Sequence, residues 1–136
     1  MPQSNDLYLQ MILMTVRAKK YLCVLSEAKK LTPVQSILLI VLIPGETKSM
    51  NELSEIMGCD ASNITGLVDR LESHELIERS SSDKDRRIKH IRLTDIGIKF
   101  RQHLVDGLKK SELLDLSKLS ESEEVELNRL VYKILN

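Results

Sequence analysis

Apolar residues return along the chain at two different periods, and the change of period divides it into elements. Leu7, Met11, Met14, Ala18, Tyr21 and Leu25 alternate spacings of four and three, the seam of an amphipathic helix running to about Lys30. Thr32-Pro33-Val34-Gln35 joins an N-cap hydroxyl, a proline at the first helical position and a glutamine at the third, so a second helix starts there. It should stop at Pro44-Gly45, because proline disfavours helix in the residue before it and lacks the amide to continue. Ser49-Met50-Asn51-Glu52 is another capping box, opening a short helix with apolar Met50, Leu53, Ile56 and Met57 that Gly58 can close in a left-handed conformation. Asp60 can cap a further helix with Ile64, Leu67, Val68 and Leu71 on one face. Two short helices joined by Gly58-Cys59-Asp60 make a helix-turn-helix.

Beyond it the period shortens. Residues 76–79 predict one strand and 88–94 a second, separated by the polar loop Ser80-Ser81-Ser82-Asp83-Lys84-Asp85-Arg86-Arg87, which together read as a two-stranded wing. Helical spacing then resumes at Ile96, Phe100, Leu104, Val105 and Leu108, and Ser120-Glu121-Ser122-Glu123 caps a last helix carrying Leu127, Leu130, Val131 and Ile134. The expected fold is mainly α with a small β-wing: a winged helix-turn-helix over 32–97 and a helical dimerisation region formed by 1–31 and 98–136, in one domain. An isolated subunit would expose the apolar seam of the first helix and the apolar face of the last, so a homodimer is expected.

Composition narrows the function classes. With 136 residues, 42% of them hydrophobic, the chain can bury one modest core. Lys and Arg total 20 and Asp and Glu total 20, so any nucleic-acid signal must be local rather than global. It is local: from Arg79 to Arg92 there are six basic side chains against the two acids Asp83 and Asp85, whereas the segment from Ser111 to the end carries six acids and three bases. Aromatic residues make up only 3%, too few for the stacking platforms that bind single strands or RNA, which leaves duplex DNA as the more plausible nucleic acid. No stretch is long and apolar enough to span a bilayer, and the N-terminus lacks a signal-peptide pattern, so a cytoplasmic protein without membrane contact is expected.

The helix after Asp60 supplies the reading surface. With Ile64 at the centre of the buried stripe, steps of 100° put Ser62, Gly66, Asp69 and Ser73 on the opposite face, with Asn63, Thr65 and Arg70 on its shoulders. Serine and threonine can pair with several base edges, asparagine with adenine and the threonine methyl with thymine, while Gly66 lets the backbone approach closely. The bland alternative, that these are solvated helix positions, weakens beside a basic hairpin, whose Arg86 and Arg87 can straddle the backbone and enter a narrow minor groove.

The stretches Leu67-Val68-Asp69-Arg70-Leu71-Glu72, Leu76-Ile77-Glu78-Arg79, Asp85-Arg86-Arg87 and Leu93-Thr94-Asp95-Ile96-Gly97 resemble the MarR (multiple antibiotic resistance regulator) family of winged-helix repressors. The resemblance implies that Ser62, Asn63 and Thr65 read the major groove, that Arg87 enters the minor groove, that Asp85 braces the wing arginines, and that the first and last helices clasp a dimer on an inverted-repeat operator. It also implies a small phenolic or anionic effector in a cleft between dimer helices and winged domain. Two positions depart from the pattern: Gly66 stands where many members have arginine, and Glu75 where a helix-ending glycine is usual.

Other chemistries have weaker signals. Cys23 and Cys59 are too far apart in sequence for a metal pair, and His74, His90 and His103 have no ligand spacing, so neither metal nor cofactor is expected. Some relatives sense peroxide with an N-terminal-region cysteine, which makes Cys23 the candidate redox thiol; its bland reading, and that of Cys59, is a small buried apolar residue. His103 could line an effector cleft, although a lone histidine on a helix is more often an ordinary surface or core residue. No Ser-His-acid or Cys-His set points to an enzyme. A protein-interaction adaptor that has lost DNA binding is the alternative from another class, and the basic wing argues against it.

Overall fold

The computed structural model describes residues 6–81, 84–112 and 115–136; Ser82 and Asp83 of the expected loop lie outside them. Helix α1 (Leu7–Ser26) starts where the Asp6 carboxylate accepts from the amides of Tyr8 and Leu9. Its path tightens into a 3-10 turn over Glu27–Lys29 and ends at Lys30, left-handed at φ 53°.

Helix α2 (Pro33–Val41) opens with the expected capping box: Thr32 Oγ1 accepts from the Gln35 amide and Gln35 Oε1 from the Thr32 amide. It stops at Val41, short of the expected Pro44-Gly45. A proline cannot bond the carbonyl four residues back and its ring collides with it. For Pro44 that carbonyl is Ile40, and Arg101 Nε donates to it instead at 3.0 Å. Helix α3 (Met50–Met57) begins at the Ser49 capping box and closes at Gly58, φ 61°. Helix α4 (Ala61–Ser73) is capped by Asp60, whose carboxylate accepts from the Asn63 amide at 2.9 Å.

Glu75 takes the left-handed conformation at φ 59°, as the helix-ending position requires. The Glu75 amide bonds the Glu72 carbonyl and the Leu76 amide the Leu71 carbonyl, the two bonds of a Schellman ending, with Leu71 and Leu76 both buried beneath them. The chain then enters an antiparallel sheet, in which β2 (Ile77–Ser81) pairs with β3 (Lys89–Leu93), Ile77 opposite Leu93 and Ser81 opposite Lys89. A short strand, β1 (Lys48–Ser49), adds to the free edge of β3 with Lys48 opposite Ile91. Sequence reasoning missed β1, because two residues carry no period.

Helix α5 (Asp95–Lys109) starts at Thr94, whose hydroxyl oxygen accepts from Gly97. Gly97 is buried against the wing base, where a Cβ would stand 1.8 Å from the Leu76 carbonyl oxygen. Leu38, Leu39, Leu53, Ile64, Leu71 and Leu104 are fully buried at the centre of the core. A 3-10 turn over Leu116–Lys118 precedes α6 (Glu121–Leu135), which again begins with a capping box and buries none of its residues.

Candidate nucleic-acid interface

Helix α4 turns Ile64, Val68 and Leu71 into the core, which leaves Ser62, Asn63, Thr65, Gly66 and Arg70 exposed together on the other side. The first turn is locked by Asp60. Accepting from the Asn63 amide, and then from the Ser62 hydroxyl at 2.9 Å, holds the Asp60 carboxyl below its ordinary range. Thr65 Oγ1 donates to the Ala61 carbonyl at 2.8 Å. With their protons engaged inside the helix, Ser62 and Thr65 present hydroxyl lone pairs outward, suited to the amino groups of cytosine or adenine, and Thr65 adds a methyl that fits thymine. A Cβ at Gly66 would meet nothing within 4 Å, so this stretch of helix surface is open.

On the wing, Asp85 Oδ1 accepts from both the Arg87 amide at 2.9 Å and the Arg87 Nε at 3.3 Å, which fixes the base of a side chain that is 92% exposed. Arg86 is exposed beside it. The other arginines have different work. Arg79 bridges back to Asp69 and Glu72 on α4, and Arg92 pairs with Glu78 across the sheet. The local charge excess counted in the sequence is therefore narrowed at the wing base, and the basic footprint concentrates toward the tip.

Between the start of α3 and the wing lies a groove of about 160 Å³ lined by Ser49, Met50, Asn51, Arg87, Ile88 and Lys89. On the far side of the sheet a cavity of about 500 Å³ gathers Glu46, Glu78 and Asp95 around Arg92, an acidic setting ill-suited to an anionic effector.

Comparisons with known proteins identify the family and the fold. The MarR family model matches residues 31–89, which run from just before α2 to the first residue of β3. The HTH-type transcriptional repressor MdtR of Bacillus subtilis is 35% identical over 79% of this chain and 70% of its own length. The transcriptional repressor MprA of Escherichia coli is 34% identical over 63% of this chain, which spans about half of MprA. The chain belongs to the MarR family. Its fold is also that of a mutant MarR from E. coli complexed with operator DNA, with a TM-score of 0.71 at 21% identity, covering 97% of this chain and 95% of that one. A winged helix-turn-helix and a DNA-binding, transcription-regulating role go with that membership.

Other expectations fare differently in this MarR chain. Cys23 is exposed, which corrects its reading as a buried apolar residue: it follows Leu22, whose side of α1 packs inward, and so lies off that face. Cys59 is half-buried against the core beside the helix-turn-helix. His103 is exposed and stacks on Phe100, ring centroids 5.5 Å apart. Among the described residues no group of three side chains could hold a metal ion, and no helix is long and apolar enough to cross a membrane. The sequence reading missed Asn51 and Lys89 at the groove; strand alternation from Ile91 back to Lys89 was the signal available.

Proposed function

We propose that this chain is a cytoplasmic, homodimeric repressor that binds an inverted-repeat operator, with α4 of each subunit in the major groove and Arg87 of each wing in the adjacent minor groove. The observation that carries the reading is the exposed run Ser62, Asn63, Thr65 and Gly66 at the start of α4, adjoining a wing whose tip is basic while its base is neutralised. In this reading 32–97 binds DNA, and 1–31 with 98–136 hold the dimer together. The repressor names of MdtR and MprA, and the operator complex of the E. coli MarR, support it. So do the apolar side chains left in solvent on the terminal helices: Met11, Ile12 and Val16 on α1, and Val125, Ile134 and Leu135 on α6, each at least 40% exposed in one subunit.

Selection of bound fragments from a random duplex pool tests the proposal. The expected product is an inverted repeat with half-site centres about 10 bp, one helical turn, apart. Asn63→Ala and Thr65→Ala should narrow the ratio of operator to random-duplex affinity, while Arg87→Ala should weaken binding to both. Recovery of no duplex, or sedimentation as a folded monomer at micromolar concentration, refutes the proposal.

A further inference from the structure

We infer that the groove between the start of α3 and the wing seats one phosphate of the duplex backbone, held by Lys89 and Asn51 alongside Arg87. The inference rests on the DNA-binding reading above and adds residues to it. Along β3, Ile91 and Leu93 are buried on the side of the sheet that faces the helices, and strand alternation puts Lys89 on that same side where the core runs out. There Lys89 Nζ donates to Ser81 Oγ at 3.0 Å, a neutral partner that orients the ammonium without cancelling its charge. Arg87 enters from the wing tip, and the opposite wall is Ser49, Met50 and the exposed Asn51. No carboxylate lines the groove itself; Asp85 pairs with Arg87 at 3.3 Å, which leaves Lys89 as the groove cation whose partner is neutral. The nearby α3 acid, Glu52, is turned onto the Ser49 amide at 2.6 Å.

The position explains why the anion is a backbone phosphate. Helix α3 packs on α4 on one side and against β1 and β3 on the other, so the groove falls between the helix proposed for the major groove and the arginine proposed for the minor groove. One sugar-phosphate strand separates two adjacent grooves of a duplex, and a protein that occupies both must straddle it. The Lys89 ammonium and the Asn51 amide meet the strand where it must pass, and Arg87 continues beyond it toward the minor groove.

The test uses the full-length protein, a duplex selected from the random pool and an unrelated duplex of equal length, titrated at several salt concentrations. Lys89→Gln and Asn51→Asp should weaken binding to both duplexes by a similar factor. Losing one phosphate contact makes the salt slope shallower by about 0.9, so a rise from about 50 to about 200 mM salt should cost Lys89→Gln about 3.5-fold less affinity than it costs the wild type. Replacing successive phosphates by neutral methylphosphonates should find one position where the wild type loses affinity and Lys89→Gln loses clearly less, because only Asn51 and Arg87 remain to lose their contacts there. If the wild type binds with its sequence preference intact while both variants keep its affinity and slope, the inference falls and the DNA-binding reading stands. Loss confined to the selected duplex also overturns it, since the groove would then be reading bases. So does a thermal shift in inorganic phosphate over chloride, at equal ionic strength, that Lys89→Gln abolishes with duplex binding unchanged. Circular dichroism checks the fold of each variant, and failure of the wild type to bind any duplex removes both readings together.

Discussion

Gly66→Ala separates what the fold needs at the start of α4 from what DNA binding needs. Glycine inside an exposed helix is less favourable than alanine by about 0.8–1.0 kcal/mol. An added Cβ meets nothing within 4 Å in the free protein, so no clash offsets that gain. The free variant should therefore melt about 3–5 °C higher by calorimetry or circular dichroism. On DNA the sign should reverse. A methyl inserted where backbone and base edges come together acts as overpacking, on the order of 1–3 kcal/mol, or roughly 5- to 150-fold in Kd. Gly97→Ala is the control with the opposite stability result. Its Cβ would lie 1.8 Å from the Leu76 carbonyl oxygen, a backbone atom that also accepts from the Thr94 amide, so the wing base and α5 must move apart. Destabilisation of at least about 1–3 kcal/mol is expected there. A Gly66→Ala protein that melts higher but binds every duplex as the wild type does would refute the placement of this face against DNA. One that melts lower would refute the reading of the free helix.

Three further outcomes follow from the packing. Arg101→Met should cost about 1–3 kcal/mol in urea unfolding, the penalty for leaving the Ile40 carbonyl, which Pro44 cannot bond, without its donor; an unchanged midpoint would mean water replaces the guanidinium. Glu75→Gly should stabilise by about 0.5–1 kcal/mol, because φ 59° suits glycine and the Schellman bonds are made by backbone alone; DNA affinity should not change. His74 Nε2 is buried with no hydrogen-bond partner among the described residues. Burial first, then the charges of Arg70, Lys29 and Lys30, holds its imidazole below its ordinary range. The unfolded chain then takes up a proton at a higher pH than the folded one, so stability should begin to fall as pH drops below about 6.5. Melting from pH 7.5 to 5.5 should show a smaller decline in His74→Gln, and identical declines would discount this histidine.

Signals confined to a few neighbouring residues were legible in the sequence. Thr32, Ser49, Asp60 and Ser120 each start a helix because side chain and amide lie within three residues of each other, and Glu75 takes its positive φ because the chain must leave α4 there. The face of α4 followed from period alone. What depended on distant pairing was not legible. That Arg101, 61 residues away, supplies the donor Pro44 lacks for the Ile40 carbonyl is not written in the sequence around α2; Cys23 is exposed because of which side of α1 finds a partner; and six basic residues in the wing read alike until Arg79 and Arg92 met acids elsewhere.

That last point ties the wing's chemistry to strand register. Arg79 reaches Asp69 and Glu72 because β2 presents it, with Ile77, on the side facing α4, while Glu78 and Arg92 are opposed partners on the other side. A slip of one residue would send every β2 side chain to the opposite face. Arg79 would leave two carboxylates unpaired beside the reading helix, and Ile77 would leave the core. Burial of Ile77, Ile91 and Leu93 thus fixes that Arg79 and Arg92 meet acids at the wing base, and so leaves the more exposed Arg86 and Arg87 at the tip, next to the groove that Asn51, Arg87 and Lys89 line.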